Sequence, residues 1–205
     1  MDRKTTESLL NAMEGVVYLV DPEAVIIAVG ERGWRSFAEL NDAPDLADAT
    51  AVVGRPLLDL VQGEAVRQAY EGFLTTLRHD AARCLSFEFS CDAPAMARRM
   101  RMSISAVAEG ERLAGFLFQS LLLEEHSRPP ISLFDPEVIT GILAKRKDWP
   151  FLHLCSYCQR VSMGSETPEW IPAERYYQRG GTSEVRISHG ICPTCMKEQV
   201  EPLLD

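Results

Sequence analysis

Neither of the two portions of the sequence carries an excess of positive charge. Residues 1–128 carry 13 Lys and Arg against 20 Asp and Glu, and residues 129–205 carry 8 against 10, for a net charge of −9. A phosphate-backbone binder draws its affinity from Lys and Arg, so nucleic acid is not an expected partner. Long hydrophobic runs are missing too. The longest, "LAGFLFQSLLL", is broken by Gln119 and Ser120 and is too short to span a bilayer. The opening "MDRKTTESLL" has no apolar core of signal-peptide length, which leads to the expectation of a reducing cytoplasm.

Catalytic signatures are equally scarce. There is no HExxH, no kinase motif, no helix-turn-helix pattern, no flavin thiol motif and no phosphoacceptor context around His126. Gly30 and Gly33 do not make a G-x-G-x-x-G fingerprint. Glu88, Glu124 and Glu125 have no visible partner and read as solvated carboxylates. No catalytic residue is therefore expected, and no internal repeat or low-complexity tract is present. What remains is an ordinary globular composition, 46% hydrophobic and 25% charged.

Within that composition lie six cysteines, four of them in two close pairs. Cys155 and Cys158 form one C-x2-C, and Cys192 and Cys195 another, with 33 residues between the pairs. Each pair makes a tight turn that aims two sulfurs at one point, and two such turns supply the tetrahedral soft-ligand set that zinc accepts. Four thiolates leave no open position, so the predicted zinc site is structural. A redox dithiol is the competing reading. His189, three residues before Cys192, is the rival ligand or a neighbour packed behind the ligands, and His153 stands similarly before the first pair. Arg160 and Lys197 flank the pairs as screening cations or as plain solvated charges. The second pair opens a helix with Met196, Val200, Leu203 and Leu204 on one face, whose dipole favours a thiolate at Cys195.

The N-terminal part shows another pattern. Residues 5–14 form an amphipathic helix with Leu9, Leu10 and Met13 on one side, able to pack on its own sheet or to pair with a second copy as a homodimer. "VVYLV" and "AVIIAVG" flank the turn signal Asp21-Pro22-Glu23, a hairpin pattern. A long helix follows in "EAVRQAYEGFLTTLRHD", with Val66, Tyr70, Phe73, Leu74 and Leu77 inward. "LSFEFSC", "RRMRMSISA" and "LAGFLFQSLLLEE" then read as three strands, the first two with strict alternation. The fold class is α+β.

This order, together with "W..FA..N" at Trp34, Phe37, Ala38 and Asn41 and with "VVGRPLLDLV", resembles a PAS domain over residues 10–124. "FSCDAPAMARRMRM" is similar to a Cys-Asp-x-Pro turn in small bacterial PAS-like proteins. The resemblance implies a five-stranded antiparallel sheet with helices over one face. The tail, "CSYCQRV…EW…YY…SHGICPTC", with Trp170, Tyr176, Tyr177, Ser188, His189 and Gly190 in place, resembles a segment found beside PAS or receiver domains. Its first knuckle, intervening hairpin and second knuckle resemble a treble clef. The expected organisation is a PAS-like domain at 1–125, a linker with a possible helix from Pro136 at 126–150, and a zinc-knuckle module at 151–205.

A PAS-like pocket would be lined by Trp34, Phe37, Phe73, Phe87, Phe89 and Met102, with Tyr70, Met100 and Phe116 nearby; a filled core explains the same residues. His79 is the one histidine placed to serve a haem, and a solvated helix end explains it equally. Cys84 reads as core, and Cys91 as core or a sensor thiol. The expected function is a non-enzymatic sensor or adaptor in bacterial signal transduction, acting through a protein partner or a small-molecule ligand. The alternatives are a cofactor-sensing PAS protein and a nucleic-acid-binding zinc regulator with a basic stripe at Arg160, Arg175, Arg179 and Arg186.

Overall fold

The computed structural model describes residues 2–40, 47–139, 149–163 and 168–204. Helix α1 (Arg3–Ala12) is capped by Asp2, whose carboxylate accepts the Thr5 N–H. Strands β1 (Val16–Val20) and β2 (Ile26–Val29) form the expected hairpin. Its turn is closed by Asp21, whose side chain accepts the N–H groups of Glu23 and Val25 at 3.0 and 2.8 Å. Helices α2 (Glu31–Leu40), α3 (Leu57–Leu60) and α4 (Glu64–His79) come next. Strands β3 (Cys84–Ser90), β4 (Met96–Glu109) and β5 (Arg112–Ser127) complete an antiparallel sheet in the order β2-β1-β5-β4-β3.

The period-two pattern decides what this sheet buries. Tyr18, Val20, Leu85, Phe87, Met102, Ile104, Phe116 and Phe118 meet Phe73, Leu74 and Leu77 of α4 in one core. Each side chain so buried contributes about 1.5–3 kcal/mol of transfer free energy. Tyr18 stacks on Phe118 with centroids 4.8 Å apart. Val17, one residue out of phase with Tyr18, joins Leu10 of α1 and Ala28 in a separate small core. Leu10 and Met13 thus pack on this chain's own sheet, whereas Leu9 is exposed.

Strands β4 and β5 run further than their apolar pattern, pairing as far as Met96 with Ser127. Charge pairs across the ladder carry the extension. Arg99 reaches Glu88 at 2.7 Å and Glu124 at 2.6 Å, and Arg98 reaches Glu125 at 2.7 Å. The three carboxylates expected to be merely solvated are therefore ion-paired.

In the segment expected as a linker with a possible helix, Ile131, Leu133 and Phe134, which follow the two prolines at 129 and 130, are buried. They enter a second core with Leu152, Leu154, Val161, Ile171, Tyr176 and Val185. Helix α5 is described only as Pro136–Ile139; the remainder of the expected bridging helix, and Asn41, lie outside the described residues. Strands β6 (Phe151–Cys155), β7 (Val161–Met163) and β8 (Arg186–Gly190) form a sheet in the order β7-β6-β8. Helix α6 (Ala173–Gln178) lies between β7 and β8. Strand β8 runs parallel to β6, reached through α6, and within the segment between the cysteine pairs Val161 and Ile171 form an antiparallel bridge.

The chain then turns through α7 (Pro193–Cys195), one wide π-type segment at Met196–Val200, and α8 (Glu201–Leu204). Pro202 accounts for the wide turn: it has no N–H to donate, and its ring would strike the carbonyl of Glu198 in a regular helix.

The cysteine turns and the C-terminal helical segment join the core of the first sheet. Cys155, Tyr157, Cys192, Cys195 and Val200 belong to the same buried cluster as Phe73 and Phe87. Glycines mark the seam. A Cβ on Gly72 of α4 would lie 2.6 Å from Leu204 Cδ2, and one on Gly63 would lie 2.4 Å from the His189 carbonyl oxygen. Gly63 also has φ of +88°. Gly63→Ala is therefore expected to cost about 2 kcal/mol or more, from left-handed strain plus the clash. Urea denaturation measures this; an unchanged midpoint would contradict the close approach of β8.

Candidate metal centre

Strand β6 delivers Cys155 to its end, and the chain folds back at once. Cys155 donates its N–H to the Arg160 carbonyl, and Gln159 donates to the Cys155 carbonyl, both at 2.9 Å. Gln159 sits at φ of +55°, a conformation usually left to glycine. Its side chain explains the choice, because Oε1 accepts the N–H of Asp92 at 3.2 Å. The parallel pairing of β8 with β6 then brings Gly190 beside Cys155, so that the second turn starts next to the first.

The four sulfurs of Cys155, Cys158, Cys192 and Cys195 all lie within 4.8 Å of one another. Cys158 and Cys192, one from each pair, are 3.7 Å apart. A tetrahedron with zinc–sulfur bonds of about 2.3 Å has edges of about 3.8 Å, so this spacing fits a zinc ion. All six cysteines are free thiols. Because sulfurs approach across the pairs as closely as this, the arrangement favours a four-ligand cluster over two separate dithiols.

Backbone amides support the sulfurs. Cys155 Sγ accepts the Cys192 N–H at 3.3 Å, and Cys192 Sγ accepts the Cys195 N–H at 3.4 Å. The helix start thus caps itself on Cys192, the N-terminal residue, where the sequence placed the dipole's benefit at Cys195. Hydrogen bonds from the Cys158 and Cys195 thiols hold the Cys155 thiol far below its usual range, down to about 2. The hydrogen bonds given to Cys155 push Cys158 up to about 12, and those to Cys155 and Cys158 push Cys195 up as well. The thiols of one cluster thus oppose one another's ionisation, Cys155 shifted down and Cys158 and Cys195 up. Metal binding requires thiol ligands to give up their protons.

The flanking groups fall into place around the cluster. No histidine belongs to it among the described residues. His189 lies on β8 with its carbonyl against Gly63, and burial lowers its pKa, favouring the neutral ring. Arg160 and Lys197 are exposed. Arg179 pairs with Glu169 at 2.6 Å, and Arg186 donates to the Trp149 carbonyl, so two of the four arginines of the supposed basic stripe are engaged within the chain.

The aromatic set of the first sheet divides. Phe73, Phe87 and Met102 are buried in the core, and Trp34 and Phe89 are partly buried against it. Phe37 instead lines a separate cavity of about 400 Å³ between α2 and the sheet, with Met100, Ser120, Leu122, Arg98 and Glu125. His79 is exposed at the end of α4. Cys84 is exposed and receives a hydrogen bond from Ser105. Burial pushes the Cys91 thiol up to about 11, against a role as a reactive sensor.

Three features escaped the sequence reading. Tyr157, inside the first knuckle, is buried beside Phe87. Gln199 accepts the Glu88 N–H at 3.2 Å from across the seam. Asp92, of the Cys-Asp-x-Pro turn, pairs with the nearly buried Arg128 at 2.7 Å and accepts the Arg98 N–H at 3.0 Å. The turn motif was legible; its partner Arg128 had no signal in the sequence.

No protein-family model matches the chain, and no curated protein matches it. Solved structures with which it shares similarity include the PAS domain of Bordetella pertussis BvgS, at 13% identity and a TM-score of 0.46, over 59% of this chain and 85% of that one. The PAS domain of an HTR-like protein from Haloarcula marismortui matches at 16% identity and 0.38, over 58% and 96%. A Vibrio cholerae VqmA dimer matches at 14% and 0.37, over 60% and 52%. The sheet order and the helices between β2 and β3 decide the architecture. The five-stranded part is PAS-like. Packed against the PAS-like sheet is a compact four-cysteine module, and none of the helices is long and apolar enough to cross a membrane among the described residues.

Proposed function

We propose that this chain is a non-enzymatic sensor or adaptor of bacterial signal transduction, whose PAS-like part binds a protein or small ligand and whose four cysteines hold a structural zinc ion. The observation that carries the reading is the closed, largely buried four-thiol cluster set in the seam with the PAS-like core. Cys155, Cys158, Cys192 and Cys195 would hold the ion, and a bound zinc would supply a cross-link between the two turns. Such a site, filled by four protein ligands, has no position for substrate.

A second reading, small-molecule sensing, is favoured by the cavity beside Phe37. Its volume is within the usual range for ligand sites, and it combines apolar walls with Arg98, Glu125 and Ser120. Native mass spectrometry of the purified protein tests both. One zinc per chain is expected, lost in Cys155→Ser and Cys192→Ser; a metal-free native protein would overturn the zinc assignment. A co-purifying organic mass would support the second reading, and the same spectrum reports whether the chain is a homodimer.

A further inference from the structure

Tyr157 lies between the two cysteines of the first knuckle, but its ring does not stay with the knuckle. It is 3% exposed, and its centroid is 5.1 Å from that of Phe87. Phe87 is in turn 5.4 Å from Phe73 and 6.4 Å from Tyr70, both on α4. The Tyr157 carbonyl accepts the Ser90 N–H at 2.6 Å, fixing the same residue to the edge of β3. One tight turn therefore serves two interiors, with its sulfurs facing the other cysteines and its middle side chain in the PAS-like core.

The turn has little freedom to serve them separately. Its end is held by Gln159, through the backbone bond to Cys155 and the side-chain bond to Asp92. The Tyr157 backbone is tied to Ser90 and its ring is packed on Phe87, so a shift of this residue away from the core pulls on the short turn that carries both sulfurs. The hydroxyl is a further sign. It is buried with no hydrogen-bond partner among the described residues, so a phenylalanine would fill the same space without an orphaned polar group.

We infer that the first knuckle is a metal-latched stopper on the PAS-like core, with Tyr157 coupling metal retention to the packing around Phe87. The inference rests on the zinc reading above and adds to it a direction of regulation. Whatever loosens or occupies the core at Phe87 weakens the hold on metal, and loss of metal frees Tyr157 from the core. Linkage makes the two effects equal in size.

Zinc competition against a chromogenic chelator, on the full chain, tests this. Tyr157→Ala and Phe87→Ala are each expected to raise the zinc dissociation constant about tenfold or more. The double variant should be little weaker than either single one, because both break the same contact. Tyr157→Phe keeps the ring and should bind zinc at least as tightly as the native chain. Leu10→Ala, in the separate core beside Val17 and Ala28, should leave zinc affinity unchanged.

Should Phe87→Ala fail to fold, Phe87→Leu gives the same comparison in a milder form. Native-like zinc affinity in the Phe87 variants, multiplying effects in the double variant, or weaker binding by Tyr157→Phe would each overturn the stopper. A native chain that takes up no zinc would instead overturn the metal reading itself, and the stopper with it.

Discussion

With zinc held by the four cysteines as proposed, stripping it with a strong chelator is expected to loosen the five-stranded sheet as well as the C-terminal module. The cysteines are not at the end of a tether: Cys155, Cys192 and Cys195 are buried in one cluster with Phe73, Phe87 and Leu85. The outer edge of β3 gives its Ser90 and Glu88 N–H groups to Tyr157 and Gln199 of the module. Structural zinc contributes on the order of 10–16 kcal/mol of apparent binding free energy, comparable with the roughly 5–15 kcal/mol that stabilises a whole domain. Hydrogen exchange with and without chelator reads the outcome. Amides of β3 and α4 should lose protection together with those of β6 and β8. Protection lost from β6 and β8 alone would show that the shared core does not transmit the change.

Asp92→Ala is expected to be the most damaging single substitution away from the cysteines. It leaves the Arg128 guanidinium, whose side chain is 13% exposed, without its 2.7 Å partner, and removes the acceptor of the Arg98 N–H. Breaking one side of a buried pair costs about 3–5 kcal/mol, because the remaining charge stays desolvated. At this chain length that corresponds to roughly 6–20 °C in Tm. Glu174, 3.8 Å from Arg128 and half exposed, is too far and too well solvated to compensate. Asp92→Asn keeps an oxygen for the Arg98 N–H and should cost less. Calorimetry of the two variants decides the order; equal Tm for Asp92→Ala and the native chain would remove the turn from its place as a junction.

The strands were readable because one face of each is buried, which writes alternation directly into Leu85–Phe87 and Met100–Met102–Ile104. The cysteine cluster was readable because C-x2-C is a local geometry that repeats. The seam was not. It is made of single residues, each with an ordinary local meaning: a glycine at a helix start, a tyrosine between cysteines, glutamines at 159 and 199. Their partners lie between about 65 and 125 residues away along the chain, and neither periodicity nor spacing reports a contact at that separation. The burial that follows the two prolines was hidden for a related reason. Pro129 and Pro130 break the pattern locally, while Ile131, Leu133 and Phe134 are too few to show a period, so their burial in the second core left no trace. Charges misled in the same way, since Glu88 and Glu124 find Arg99 only once the strands are aligned.

That the edge of β3 is closed by late segments of the chain has a consequence for how the protein is made. A growing chain can zip β3, β4 and β5 together as soon as residue 127 is available, yet Tyr157 and Gln199, which bond the outer edge of β3, follow only 30 and 72 residues after Ser127. Throughout that interval the newborn sheet presents a bare flank, with Phe87 beneath it, to everything nearby, the situation in which nascent proteins stick to one another or recruit chaperones. Ion supply during translation, rather than afterwards, would then set how much of the newly made material survives.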